Sequence, residues 1–235
     1  MQQVIQLSVL PFGMINSYLI KGPKKHVLVD AGVPGSEQKI LKQLLEFRIK
    51  PSDIGLLIIT HGHLDHFGSA KELKDILGIP VLIHEQDSAA ISSGKSLADT
   101  LKPTRAYWNL LKWKLSKDAA SPFEPDILLK EDDEFDLHSF GIKGKIIHTP
   151  GHTKGSLSIV LENGEAIIMD LASAGIFLGG IAFHSRMKHP PFHDDRKAVK
   201  QSILRILAMN TGKFYLGHGN PVNRKLLKKY VLTCL

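Results

Sequence analysis

Four side chains that commonly bind metal ions fall within six residues: His61, His63, Asp65 and His66, in the segment Thr60-His61-Gly62-His63-Leu64-Asp65-His66-Phe67-Gly68. A β-rich run, Leu56 to Ile59, leads into them, and a helical pattern from Phe67 to Leu77, closed by Gly78, follows. In an extended loop alternate side chains share a side, so His61, His63 and Asp65 converge while His66 joins from the first helical turn. A lone histidine reads as a surface or capping residue. Four such groups beside a buried strand are costly without a ligand to neutralise and orient them. The fold therefore has to deliver a strand end that opens onto a cation site.

The rest of the chain alternates β-rich and helical patterns in two similar halves. Val4 to Val9, Ser17 to Ile20 and His26 to Val29 read as an antiparallel start, with Lys21-Gly22-Pro23-Lys24 as a turn. Ser36 is placed to cap a helix through Phe47, with Ile40, Leu41, Leu44 and Leu45 on one face, and Val81 to Ile83 follows as a strand. Later come strands at Lys143 to His148, Ser156 to Leu161 and Ala166 to Met169, the last two joined by a tight Asn163-Gly164 hairpin. Asp194 is expected to cap a helix carrying Val199, Ile203, Ile206 and Leu207, before a strand at Lys213 to Leu216 and a basic helix from Asn223 to Leu232. Residues 92–125 fit neither half and read as an insertion. No boundary is rich enough in Gly, Ser or Pro to be a linker, so one domain of two sheets with outer helices is expected over residues 1–235.

Charge bears on the choice of partner. The formal charge of +7 invites a polyanion, but Arg196 to Leu235 hold nine Lys or Arg and no acid, and the first 195 residues balance 21 basic against 23 acidic groups. The excess is local. The single cysteine, Cys234, allows no internal disulfide or thiolate cluster, and a reducing compartment follows as the default. The start of the chain lacks the charged, continuously apolar pattern of a secretion signal, and Leu171 to Phe183, the longest apolar stretch, falls short of the roughly 20 residues of a membrane span. A soluble cytoplasmic protein with no transmembrane segment is expected.

The chain resembles the metallo-β-lactamase superfamily, whose H-x-H-x-D-H loop is matched by His61, His63, Asp65 and His66. Further matches follow in order: Asn16-Ser17-Tyr18-Leu19, Leu28-Val29-Asp30-Ala31-Gly32, Thr149-Pro150-Gly151-His152-Thr153, Ile167-Ile168-Met169-Asp170 and Gly217-His218-Gly219. The resemblance implies an α/β (α+β) fold, a four-layer αββα sandwich of two mixed β-sheets with helices on the outer faces. It also implies two divalent metal ions. One would be held by His61, His63 and His152, the other by Asp65, His66 and His218, with Asp170 between them. Imidazole and carboxylate ligands without thiolate suit Zn2+, and accept Mn2+, Co2+ or Fe2+. His63 stands where the di-iron oxygen-reducing branch has Glu, which speaks against iron.

The reaction so implied is hydrolysis, in which Asp65 orients the attacking hydroxide and passes its proton to the leaving group. Only 17 residues follow His218, which counts against the glutathione-binding extension of the glyoxalase II branch. A small carbonyl substrate, an ester, thioester or lactone, is the leading expectation. A phosphodiesterase or ribonuclease using the basic C-terminal helix is the alternative, and a non-catalytic metal-binding module is the alternative of another class. His148 and Asp30 are expected to support the ligands or pack, while His26, His84 and His138 read as surface or loop residues. His184, His189 and His193 read as packing or solvent residues in preference to the substrate entrance. In the insertion Tyr107, Trp108, Leu111 and Leu115 share a helical stripe that packs on its own domain, forms a lid, or makes a homodimer contact.

Overall fold

Leu19, Leu28 and Leu57 pack on one side of a sheet, while Tyr18, Ile20, Val27, Val29, Leu56 and Ile58 pack on the other, and all are buried. Strand side chains alternate between faces, so a sheet apolar on both faces must lie inside a stack of layers. The computed structural model describes residues 3–97, 100–115 and 117–235, with the side chains of Leu111, Lys114 and Leu115 outside the description.

The sheet in question is built from β1 (Gln3–Leu10), β2 (Ile15–Lys21), β3 (His26–Val29), β4 (Ile54–Ile58), β5 (Val81–His84) and β6 (Ile127–Leu129), in that order. Its first two pairings are antiparallel and its last three parallel. Helices α1 (Glu37–Glu46), α2 (Leu64–Phe67), α3 (Ala70–Leu77) and α4 (Glu85–Ser93) lie between these strands in the chain, and α5 (Asn109–Leu115) lies in the insertion. Ile40 and Leu44 of α1, Leu73 and Leu77 of α3, and Ala90 and Ile91 of α4 cover the face that carries Leu19, Leu28 and Leu57.

The second sheet runs in the order β14 (Val222–Asn223), β13 (Lys213–Tyr215), β10 (Glu165–Ile167), β9 (Leu157–Leu161), β8 (Gly144–His148), β7 (Phe135–Asp136), with a small β11 (Ser173–Ala174) and β12 (Met187–Lys188) pair beside it. It too is mixed, parallel only between β10 and β13. Ile146, Leu157, Ile159, Ile167 and Tyr215 face the first sheet, and Ile147, Val160, Ala166 and Phe214 face α6 (Arg196–Ala208) and α7 (Arg224–Thr233). The result is the expected four-layer arrangement of two mixed sheets between helices. Tyr18 Oη donates to the Leu216 carbonyl at 2.6 Å and the Leu157 amide donates to the Thr60 carbonyl at 2.8 Å, so the sheets are tied together where the loops after β4 and β13 emerge.

Several local expectations change. The helix expected over Phe67 to Leu77 begins at Leu64 and breaks at Gly68-Ser69 before α3. A Cβ on Gly68 would lie 2.4 Å from the Pro34 amide nitrogen, and its own N–H bonds the Gly32 carbonyl at 2.8 Å; this close contact with the β3–α1 loop interrupts the helix. Ser36 does not cap α1 with its side chain; its amide instead donates to Ser69 Oγ. The cap of α6 is Asp195, whose Oδ1 accepts from the Lys197 and Ala198 amides. Asp194 pairs with Lys102. His84 is fully buried at the end of β5 and stacks on His148 at 4.1 Å, contrary to the surface reading. In the insertion Tyr107 and Trp108 lie in a short 3-10 turn ahead of α5, Tyr107 is exposed, and the stripe through Leu111 and Leu115 falls on side chains outside the described residues. No helix among the described residues is long and apolar enough to cross a membrane.

Candidate metal centre

All seven sequence-identified side chains come together at one end of the two sheets. His61, His63, Asp65 and His66 follow β4 of the first sheet; His152, Asp170 and His218 follow β8, β10 and β13 of the second. His63 keeps an extended backbone as the residue before α2, and Asp65 and His66 sit in that helix's single turn.

The hydrogen bonds around each ring settle which nitrogen carries its proton. His152 Nδ1 lies 2.9 Å from the Phe192 carbonyl, which only accepts, so Nδ1 is the donor and Nε2 is bare. Thr60 Oγ1 donates to Asp30 Oδ2 at 2.7 Å, so at 3.2 Å it accepts from His61 Nδ1 and leaves His61 Nε2 bare. Thr100 Oγ1 donates to the Leu97 carbonyl, so it accepts from His63 Nε2 and leaves His63 Nδ1 bare. The three bare nitrogens face one another, His152 Nε2 being 3.1 Å from His61 Nε2 and 3.0 Å from His63 Nδ1. Three lone pairs at that spacing repel unless a cation stands among them.

A second group adjoins. His66 Nδ1 donates to Asp30 Oδ2 at 2.7 Å and His218 Nδ1 to the Met14 carbonyl at 2.6 Å, which turns both Nε2 atoms inward. Asp65 Oδ2 lies 3.4 Å from His218 Nε2 and 3.7 Å from His66 Nε2. Asp170 stands between the groups, with Oδ2 3.0 Å from His218 Nε2 and 3.6 Å from His152 Nε2. Buried and without any hydrogen-bond partner are His66 Nε2 and Asp170 Oδ1. Orphaned polar atoms of this kind are rare in folded proteins, and a metal ion would satisfy both. The residues present therefore fit divalent ions. Asp30, His61 and His66 also lie close enough to form a triad, but both Asp30 oxygens are engaged by Thr60 and His66 Nδ1, so its role is to orient.

Electrostatics agree with this division. Burial, with His66 and His152 close by, holds His61 well below the ordinary imidazole range; burial and His63 do the same to His152. At His66 burial opposes the charge, but Asp65, Asp170 and Asp30 overcome it and push the pKa up to about 10. Burial works against the Asp170 carboxylate, yet His218 and His66 hold it below the usual range. The site rejects protons at one end and demands positive charge at the other.

Two contributors escaped the sequence reading. Asp87, buried in the first turn of α4, accepts from the Gly62 amide at 2.8 Å, Thr153 Oγ1 at 2.6 Å and the Gly155 amide at 3.0 Å, clasping the loops that carry His61 and His152. His193, read as a packing or solvent residue, is buried with its Nδ1 3.3 Å from His152 Nδ1. Burial and neighbouring His189 pull its pKa down to about 3. His148 packs away from the cluster, bonding Asp132 and the Lys154 carbonyl, and His138 is exposed.

The groups open onto a cavity of about 170 Å³ lined by His63, Asp65, His152, Asp170 and His218 on the polar side, with Leu10, Ile15, Val33, Leu178, Pro191 and Phe192 opposite. Asp118 adds a carboxylate to the lining, and among the described residues no Lys or Arg joins it. Asp65 is the more accessible of the two clustered carboxylates, at 18 % exposure against 3 % for Asp170.

Comparison with known proteins shows the family to which the chain belongs. A family model described as the metallo-beta-lactamase superfamily matches residues 10–218. A "probable metallo-hydrolase" of Methanocaldococcus jannaschii is 34 % identical over 148 residues, 63 % of each chain, so this chain spans less than two thirds of that relative. Exodeoxyribonuclease WalJ of Streptococcus pneumoniae is 25 % identical over 88 % of this chain and 78 % of its own. Among solved structures, a metallo-beta-lactamase family protein from Thermus thermophilus superposes with a TM-score of 0.66 at 20 % identity, covering 97 % of this chain and 78 % of its own.

Proposed function

The chain belongs to the metallo-β-lactamase superfamily of metal-dependent hydrolases, and we propose that it is a binuclear hydrolase of a small carbonyl substrate, an ester, thioester or lactone. The observation that carries this reading is the convergence of three bare imidazole nitrogens beside a second group, Asp65, His66 and His218, whose carboxylates demand positive charge, with Asp170 between the two. In it, His61, His63 and His152 would hold one ion and Asp65, His66 and His218 the other, with the Asp170 carboxylate available between them. Zn2+ fits the donor set best, with Mn2+, Co2+ and Fe2+ as alternatives. Such ions supply Lewis acidity toward an electrophilic oxygen and lower the pKa of water toward about 7.

The protein's own groups do the rest. Asp65, open to the cavity, orients the attacking water, accepts its proton and returns that proton to the leaving group. Leu10, Ile15, Val33 and Phe192 exclude bulk water and bind apolar substrate atoms. A cavity of about 170 Å³ holds the reacting carbonyl and little more, so the remainder of the substrate lies outside. A site contributed by both sheets supports reading residues 1–235 as one domain.

The exodeoxyribonuclease relative favours a phosphodiesterase as second reading. Against it, the described residues offer a phosphate in this cavity no Lys or Arg and add the carboxylate of Asp118. The deciding experiment is metal analysis with a substrate panel. The reading expects two tightly bound divalent ions per chain and turnover of a lactone, thioester or ester, lost in His61→Ala and Asp170→Ala. Fewer than one ion per chain, or activity indifferent to both substitutions, would overturn it. Turnover of phosphodiesters alone would replace the carbonyl reading with the second one.

A further inference from the structure

A second hollow, of about 770 Å³, adjoins the metal cavity and differs from it in chemistry. Residues 188–193 form the partition: Lys188 and His189 line the hollow, and Pro191 and Phe192 line the metal cavity. Arg105, Arg186, Lys188 and Arg196 face into the hollow together with Tyr107 and Trp108, and among the described residues no Asp or Glu lines it. Among the described residues no carboxylate pairs with any of these four cations. Arg196 Nη2 donates to the Thr104 carbonyl and Lys188 Nζ to that of Phe177, so both are held in place by backbone. Burial and nearby Arg186 bring the Lys188 pKa down to about 8, and burial with Arg196 lowers that of His189. Arg105, Arg186 and Arg196 are exposed and Lys188 half-buried, so water screens part of their mutual repulsion, and a bound anion would relieve the remainder.

The aromatic pair narrows the anion. Tyr107 and Trp108 stand with ring centroids 4.8 Å apart and planes tilted by 49°, leaving ring faces against which a flat heterocycle stacks. Guanidinium forks match phosphate oxygens in pairs, where a lone ammonium offers only a point charge. The volume lies within the range of small-molecule sites, roughly 300–1,000 Å³. We propose that this hollow is a nucleotide-binding site, in which Arg105, Arg186, Lys188 and Arg196 hold the phosphates and the Tyr107–Trp108 pair stacks the base. The inference is independent of the hydrolase reading, because its test reads binding and not turnover.

The test is titration of the metal-loaded protein with adenosine 5′-diphosphate, followed by tryptophan fluorescence. Saturable quenching is expected, kept in Trp113→Phe and lost in Trp108→Phe. The double substitution Arg105→Ala with Arg186→Ala should weaken binding about tenfold or more, with melting temperature and metal content unchanged. His61→Ala, which removes a metal-site group, should leave the affinity within about twofold; the arginine and tryptophan arms decide the matter without it. The proposal is overturned if quenching does not saturate by about 10 mM nucleotide. It also fails if adenosine binds as well as the diphosphate, or if affinity follows His61 and ignores the arginines. A single-stranded oligonucleotide binding at least tenfold more tightly, with steep salt dependence, would overturn it in favour of a strand-binding surface.

Discussion

Asp30 and His66 meet at 2.7 Å, Oδ2 to Nδ1, in a place where neither side chain has any solvent exposure. Asp30 also takes the Thr60 amide and hydroxyl, so one carboxylate sets the orientation of His66 directly and of His61 through Thr60. It does this from a left-handed backbone conformation, φ 61°, which Asp tolerates better than most residues. Asp30→Asn should reduce metal affinity or activity by about 10–100-fold, the range seen for groups that orient metal-ligating histidines. Equilibrium dialysis against a zinc buffer checks this; unchanged affinity and activity would remove Asp30 from the site.

Asp87→Ala should act through both stability and metal retention. Three buried donors, the Gly62 and Gly155 amides and Thr153 Oγ1, lose their acceptor, at a cost on the order of 3 kcal/mol. Urea denaturation of the chelated protein reads the stability part separately from metal binding. A loss below about 0.5 kcal/mol would mean that the clasp between the two loops is dispensable.

Gly217→Ala should spare the fold more than the site. A Cβ there would lie 2.1 Å from Asp170 Oδ1 and 2.8 Å from His66 Cε1, so those side chains must move. Activity is expected to fall by at least about 100-fold, since positioning errors near 1 Å have effects of that size. Circular dichroism should show a folded protein, and wild-type turnover would contradict the packing at this glycine.

The chelated protein should be most stable near pH 6.5. Burial is the largest cause that holds His61, His63, His152 and His193 below their ordinary values in the folded state. The unfolded chain takes up protons at these positions once the pH falls below about 6.5, so stability declines as the pH drops, and for His193 the decline continues to about 3. His66 works the other way. Its raised pKa contributes stability that is complete below about 6.5 and is lost as the pH rises toward 10. Urea midpoints measured from pH 5 to 9 in chelator should pass through a maximum, and a monotonic trend would refute the opposed titrations.

What could be read from the sequence was whatever leaves a short-range trace. His61, His63, Asp65 and His66 announce themselves by spacing, and the alternation around Leu19, Leu28 and Leu57 reveals strands covered on both faces. Asp87 left no such trace, because its partners lie 25, 66 and 68 residues away. His193 reaches His152 across 41 residues, and the break at Gly68 depends on contact with Pro34 from another loop. Adjacent Asp194 and Asp195 offered the same capping chemistry, and only the tertiary pairing of Asp194 with Lys102 separates them.

The seven inward-facing side chains are divided between the sheets, four after β4 and three after β8, β10 and β13. Neither half of the molecule owns a complete coordination shell. Ions at this seam would act as rivets between the halves, so the free metal concentration around the protein would set how firmly they hold together. Each tenfold excess of metal over its dissociation constant would add about 1.4 kcal/mol to the folded state. In that sense the surrounding metal pool would join the hydrophobic layers as a determinant of this protein's persistence.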